Sequence, residues 1–155
     1  MHPDGHVYAI GCEDGTIRVY DILTGQLNGT LGPRPGAVRD LHFSSNGYWL
    51  AETSTADAKV RVWDLRKAAS VAFELEGSSE GGKVRWDHSG QFVALGGQGG
   101  VDVWAYSKKD KSFEKMNSQP LLSTGVRCLD WGLDGKSLMC AGTADATICQ
   151  LGVAS

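Results

Sequence analysis

Four histidines, His2, His6, His42 and His88, come first in a search for chemistry, because imidazole is both the commonest metal ligand and a base poised near neutral pH. Their intervals match no metal-ligand spacing, and two of them flank turns, so ordinary surface or turn histidines are expected. Gly96-Gly97-Gln98-Gly99-Gly100 has the glycine content of a phosphate cradle. A phosphate loop, however, opens a helix, where backbone amides and the helix dipole converge on the anion, and this segment joins two strand-like runs. Asp14, Asp57 and Asp145 could act as general acids or bases. Each lies six residues before Tyr20, Trp63 and Leu151, and one acid per unit at a fixed offset points to a repeated structural turn. Cys12, Cys128, Cys140 and Cys149 include no C-x-x-C pair and fall within predicted strands. Free, buried thiols in a reducing compartment are expected rather than zinc ligands or disulfides. No catalytic residue, metal site or cofactor is therefore expected.

The elements that would position these residues are clearest over 37–76. Val38–Phe43, Tyr48–Ser54, Lys59–Leu65 and Ser70–Glu76 are short runs of β-branched, aromatic and aliphatic residues broken by turn chemistry. Asn46-Gly47 is a strong hairpin signal, since both residues tolerate positive φ. The third run ends on Trp63-Asp64. Four antiparallel strands of this length make one twisted sheet, a propeller blade. The unit recurs: the glycines of Asp4-Gly5, Asn46-Gly47, Ser89-Gly90 and Asp134-Gly135 lie 42, 43 and 45 residues apart. Four residues before each glycine sits a large apolar residue, Met1, Phe43, Trp86 or Trp131. Gln98 takes the place of the turn aspartate in the third unit, six residues before Trp104. A period of this length over four units is the mark of a repeat protein.

Read in register, residues 1–36 form a partial blade, 37–76 and 77–119 two whole blades, and 120–155 a blade lacking its outer strand. The expected fold is all-β, about three and a half four-stranded blades, as the C-terminal half of a seven-bladed propeller whose missing half lies in the same parent chain. Met1 is read as an internal blade position. Gly32-Pro33-Arg34-Pro35-Gly36 cannot join a ladder and separates two blades, and Ser107–Ser112, SKKDKS, is read as a solvated charged loop. The net charge of −3, with both signs mixed along the chain, gives no footprint for direct nucleic-acid binding. No apolar run is long enough to cross a bilayer, and no secretory leader is seen.

Binding is the better expectation than catalysis. Arg34, Arg39 and Arg127 lie in or just after connections between blades, where a guanidinium can grip a carboxylate or phosphate. The alternatives are a solvated rim and, for Arg39 and Arg127, a place on the channel wall, because the first strand of a blade is innermost.

These repeats resemble the WD-repeat propellers. Members of that family use the turn aspartate to bond backbone amides and bridge toward the Trp, often with a Ser or Thr of the second strand. Asp14, Asp57 and Asp145 match that aspartate here, Trp63 and Trp104 match the Trp, and Thr53 is placed for the hydroxyl. The family's Gly-His dipeptide before the first strand is absent. Phe43–Lys67 (FSSNGYWLAETSTADAKVRVWDLRK), His88–Gly97 (HSGQFVALGG) and the opening HPDG further resemble the carboxy-terminal propeller of the spliceosome-associated U-box ubiquitin ligases. The Gly-Gln-Gly-Gly turn and an insertion around Lys108–Lys111 depart from it. The resemblance implies a nuclear protein of pre-mRNA splicing and DNA repair, tetrameric through a coiled coil. Its U-box would recruit a ubiquitin-charged conjugating enzyme, while the propeller docks proteins of a splicing-associated complex and ubiquitination substrates. Neither U-box nor coiled coil lies in these residues, so this chain alone is expected to be catalytically silent. The alternative is a non-catalytic WD-repeat scaffold of another multiprotein complex.

Overall fold

The computed structural model describes residues 1–67, 70–78, 80, 82–98, 100–119, 125–133, 135, 137–142 and 146–150, with backbone alone for 117–119 and 146–150. The described strands form four antiparallel sheets in chain order. The first holds β1 (Val7–Gly11), β2 (Ile17–Asp21) and β3 (Leu27–Leu31). The second holds β4 (Val38–Phe43), β5 (Trp49–Ser54), β6 (Lys59–Asp64) and β7 (Ser70–Glu76). The third holds β8 (Lys83–Trp86), β9 (Phe92–Gly97), β10 (Gly100–Ser107) and β11 (Ser112–Gln119). The fourth holds β12 (Cys128–Trp131), β13 (Ser137–Ala141) and β14 (Ala146–Gln150). Each sheet is an up-and-down meander, and β4, β8 and β12 stand side by side as first strands of neighbouring sheets. The architecture is a partial propeller.

The turns explain why the units look alike. In each, the turn glycine donates its N–H to the carbonyl three residues back: Gly5 to His2, Gly47 to Ser44, Gly90 to Asp87 and Gly135 to Gly132. These glycines have φ between +64° and +75°, a region costly for a side chain. Asn46 keeps an ordinary φ; its carboxamide oxygen instead accepts from Tyr48 N at 2.9 Å and Ser44 Oγ at 2.8 Å. The hairpin therefore needs one left-handed residue, where the sequence suggested two.

Burial follows the sheet stacking. One apolar cluster fills each interface: Ile17, Leu31, Phe43, Leu50 and Trp63 between the first two sheets, Trp49, Val62, Val84, Trp86, Leu95 and Trp104 between the next two, and Val103, Val126, Leu129, Trp131 and Leu138 between the last two. β5 and β6 are buried almost throughout, because a sheet between two others has apolar contacts on both faces. Met1 is 80 % exposed, whereas Phe43, Trp86 and Trp131 are buried. One expectation is corrected. Of the thiols, Cys140 is buried, but Cys12 lies one residue beyond β1 half-buried and Cys128 is exposed on β12. None of these three forms a disulfide among the described residues, and the Cys149 side chain lies outside them.

Candidate interaction site

The buried charges come first, because a charge taken out of water must be paired within the fold or held for a ligand. Glu52, on β5, is fully buried, and its Oε2 accepts the indole N–H of Trp63 at 2.7 Å. Burial pushes its carboxyl above the usual range, while the Trp63 bond and the nearby Arg61 and Arg34 pull the other way. Arg34 lies across the Trp63 ring, 5.1 Å from its centre. It thus stacks on the blade core. Its loop is clamped there: Arg34 N donates to Gly15 O at 3.0 Å, and Ser54 Oγ donates to Pro35 O at 3.0 Å.

The bridge expected from Asp57 through Thr53 to Trp63 takes another course. Asp57 accepts from Lys59 N at 3.2 Å and is gripped by the Arg61 guanidinium, which also faces Glu74 with Nε 3.4 Å from its carboxylate. Trp63 gives its proton to Glu52. Thr53, one residue along β5 and so facing the opposite side, donates to the Gly82 carbonyl of the third sheet at 2.7 Å. Asp14 accepts from Thr16 N and Oγ1 at 3.0 and 2.6 Å, which holds its carboxyl below the usual range. Asp145 lies outside the described residues. In the third unit Asp102 stands where Arg61 stands in the second, two residues before the Trp. It accepts from Ser78 N and Oγ at 2.5 and 2.7 Å, with Lys115 Nζ at 2.9 Å. A third-to-fourth-strand ion pair is present in both sheets but in a different register: Arg61 stands opposite Glu74, whereas Asp102 stands opposite Ser118 and pairs with Lys115, the residue opposite Trp104. Trp104 is buried beneath Lys115, whose Nζ lies 5.5 Å from the ring centre.

The first strands are stapled by groups that sequence reading missed. Asp40 on β4 accepts from Val84 N at 3.0 Å and Arg85 Nη1 at 2.7 Å on β8. His42 Nδ1 accepts the Trp86 N–H at 3.0 Å, and the Trp131 indole donates to the Arg85 carbonyl at 3.1 Å. Burial, with Arg85 close by, pushes the His42 imidazole down to about 4, so it is neutral and free to accept. The one available signal was an acid and a histidine inside apolar strand runs, where neither is at home unless bonded. Arg39 and Arg127 are different. Arg39 is the extra residue of a bulge in the β4–β5 ladder, both side chains are exposed, and neither makes an ion pair among the described residues. Among the described residues no three His, Cys, Asp or Glu are placed to hold a metal ion.

The family model "WD domain, G-beta repeat" matches residues 1–21 and 25–64. The chain is 29 % identical over 152 residues to Pre-mRNA-processing factor 19 of Schizosaccharomyces pombe, covering 98 % of this chain and 30 % of that protein. It is 32 % identical over 140 residues to Pre-mRNA-processing factor 19 of Oryza sativa subsp. japonica, covering 88 % of this chain and 26 % of the relative. The chain thus spans under a third of either relative. Among solved structures, a chain of the "Crystal Structure of Mitotic Checkpoint Complex" superposes with a TM-score of 0.81 at 18 % identity, over 96 % of this chain and 48 % of that one, a likeness of fold alone. Both the repeat plan and these similarities lead to one conclusion: the chain is a run of WD repeats, homologous over most of its length to the WD domain of pre-mRNA-processing factor 19.

Proposed function

We propose that this chain is the partner- and substrate-docking part of a U-box ubiquitin ligase acting in pre-mRNA splicing and DNA repair in the nucleus. The observation that carries the reading is the similarity to pre-mRNA-processing factors along nearly the whole chain. The structure's division of charge supports it. Half-buried ionic groups such as Asp40 and Arg85 staple neighbouring sheets together, while Arg39 on β4 and Arg127, one residue before β12, are exposed and make no ion pair among the described residues. We assign these two to contact with partner carboxylates or other anions. The parent carries the other blades, the U-box and the coiled-coil tetramerisation segment, and ubiquitin transfer occurs there.

The test is deletion of residues 1–155 from the parent. Self-ubiquitination is expected to persist while modification of bound substrates falls. Unchanged substrate modification removes the reading. A parent with further blades and no U-box replaces it with a non-catalytic scaffold of another multiprotein complex.

A further inference from the structure

The repeats differ most where the sheets meet near the a–b turns. Between the second and third sheets five rings pack together: Trp49 is centred 5.9, 5.5, 4.5 and 5.8 Å from Phe73, Trp86, Tyr106 and Phe113, and Phe73 lies 6.0 Å from Tyr106. Repeat register gives their counterparts one interface earlier. Val7 lies two residues after its turn glycine, as Trp49 does; Phe43 lies four before the next, as Trp86 does. Leu65 lies two after Trp63, as Tyr106 follows Trp104. Gly29 pairs with Val19 as Phe73 pairs with the equivalent Val62. Three of the five rings, Trp49, Tyr106 and Phe73, are thus replaced by Val, Leu and Gly, and only the His2 ring sits edge-on against Phe43, 5.2 Å from its centre.

The result is an open cavity of about 500 Å³, lined by Val7, Gly29, Phe43 and Leu65 with Val19 and Leu31 behind them. A Cβ on Gly29 would meet no atom within 4 Å. β3 is the edge strand of its sheet, and Leu27 to Thr30 are exposed along it. The polar groups on the rim bond to one another. His2 Nδ1 lies 2.7 Å from the Asp4 carboxylate, and Arg66 donates through Nε and Nη2 to Asp64 at 2.9 and 2.8 Å. The rim is therefore matched to an uncharged occupant.

We propose that this slot receives one aromatic side chain, Phe or Trp, from an uncharged extended segment of a partner protein. The ring takes the place that Phe73 holds in the next interface, and the segment's backbone runs beside β3. The molecule itself shows what fits, since the same frame one repeat later is closed by rings. Continuity with the Ile17–Leu31–Phe43 cluster gives the incoming ring a buried floor.

The experiment titrates the intact protein with blocked tripeptides Ala-Phe-Ala, Ala-Lys-Ala and Ala-Asp-Ala and follows backbone amide NMR shifts. Ala-Phe-Ala is expected to give saturable shifts at Gly29, Leu31 and Leu65, and the charged peptides none. Gly29→Phe fills the slot from within, so affinity for Ala-Phe-Ala drops by about tenfold or more with no fall in melting temperature. Val7→Trp fills it from the opposite wall and is expected to act alike. Equal shifts from the charged peptides, absence of shifts, or shifts that survive both filled variants overturn the proposal. So do shifts seen only after deleting a segment of the protein's own chain, which would make the occupant internal. The slot does not rest on ubiquitin transfer, so this titration and the substrate-modification test fail separately.

Discussion

His42 is the most informative residue to perturb, because its neutral imidazole accepts the Trp86 N–H across two sheets at 3.0 Å. Protonating Nδ1 removes the acceptor and leaves a cation beside Arg85 on β8, with Asp40 on its own strand and Asp130 on β12 giving partial relief. The folded value of about 4 against an ordinary 6.5 sets the sign. Between those pH values the unfolded chain takes a proton that the folded chain refuses, so stability is lost as pH falls from 6.5 toward 4 and levels off below. From pH 7 to pH 5 linkage gives about 2 kcal/mol as a ceiling, and about 1–2 kcal/mol once the half-buried ring's remaining access to water is discounted. His42→Asn sets an amide oxygen where Nδ1 stands and keeps the bond without the titration. Urea unfolding followed by tryptophan fluorescence at pH 7, 6 and 5 is the assay. The wild type is expected to lose about 1–2 kcal/mol more than His42→Asn over that range. Carboxylates elsewhere titrate in both proteins and cancel in the comparison. Parallel curves would refute the claim that the fold holds this imidazole neutral.

Three further outcomes follow from the same contacts. Trp63→Phe strands the fully buried Glu52 carboxylate without its 2.7 Å donor and is expected to cost about 3 kcal/mol or more; adding Glu52→Leu should restore at least half of that, read as coupling in a denaturant double-mutant cycle. Thr53→Val keeps the shape but orphans the Gly82 carbonyl, for a loss of about 1–2 kcal/mol in chemical denaturation. Gly15→Ala sets a methyl group 1.9 Å from the Arg34 carbonyl at φ +76°, whereas Gly25→Ala meets open space at φ +66°. Thermal melts should therefore show a loss above about 2 kcal/mol for the first and about 1 kcal/mol for the second.

Strand positions were legible because both of their causes are local. The glycine turns and apolar runs placed β4 and β7 at their observed bounds and β5 and β6 within a residue. Side-chain partners were not legible, because they depend on which faces meet once the sheets stack. Glu52 and Thr53 are neighbours in the chain, yet one serves Trp63 in its own sheet and the other serves Gly82 in the next. The family resemblance assigned Thr53 to the tryptophan, and nothing in the sequence pointed to the acid beside it. Arg34 shows the same limit, since its place in a Pro-rich connection pointed outward and only packing against the Trp63 ring turned it inward.

The repeat itself separates what the fold uses from what it leaves over. A position filled alike in each unit, such as the turn glycine, answers a demand that every blade makes. Where units differ but an ion pair between third and fourth strands survives in another register, Arg61–Glu74 in one sheet and Asp102–Lys115 in the next, the demand is still met with other residues. Where units differ and the loss is only partly replaced, as at Val7, Gly29 and Leu65 against Trp49, Phe73 and Tyr106 with the His2 ring on Phe43 as the one substitute, the fold has given up buried area that its neighbour keeps. Such a loss weakens the blade interface, since each ring left out forgoes roughly 1.5–3 kcal/mol of burial. A partner ring in the slot recovers that area, so binding there should also raise the stability of the first sheet against the second.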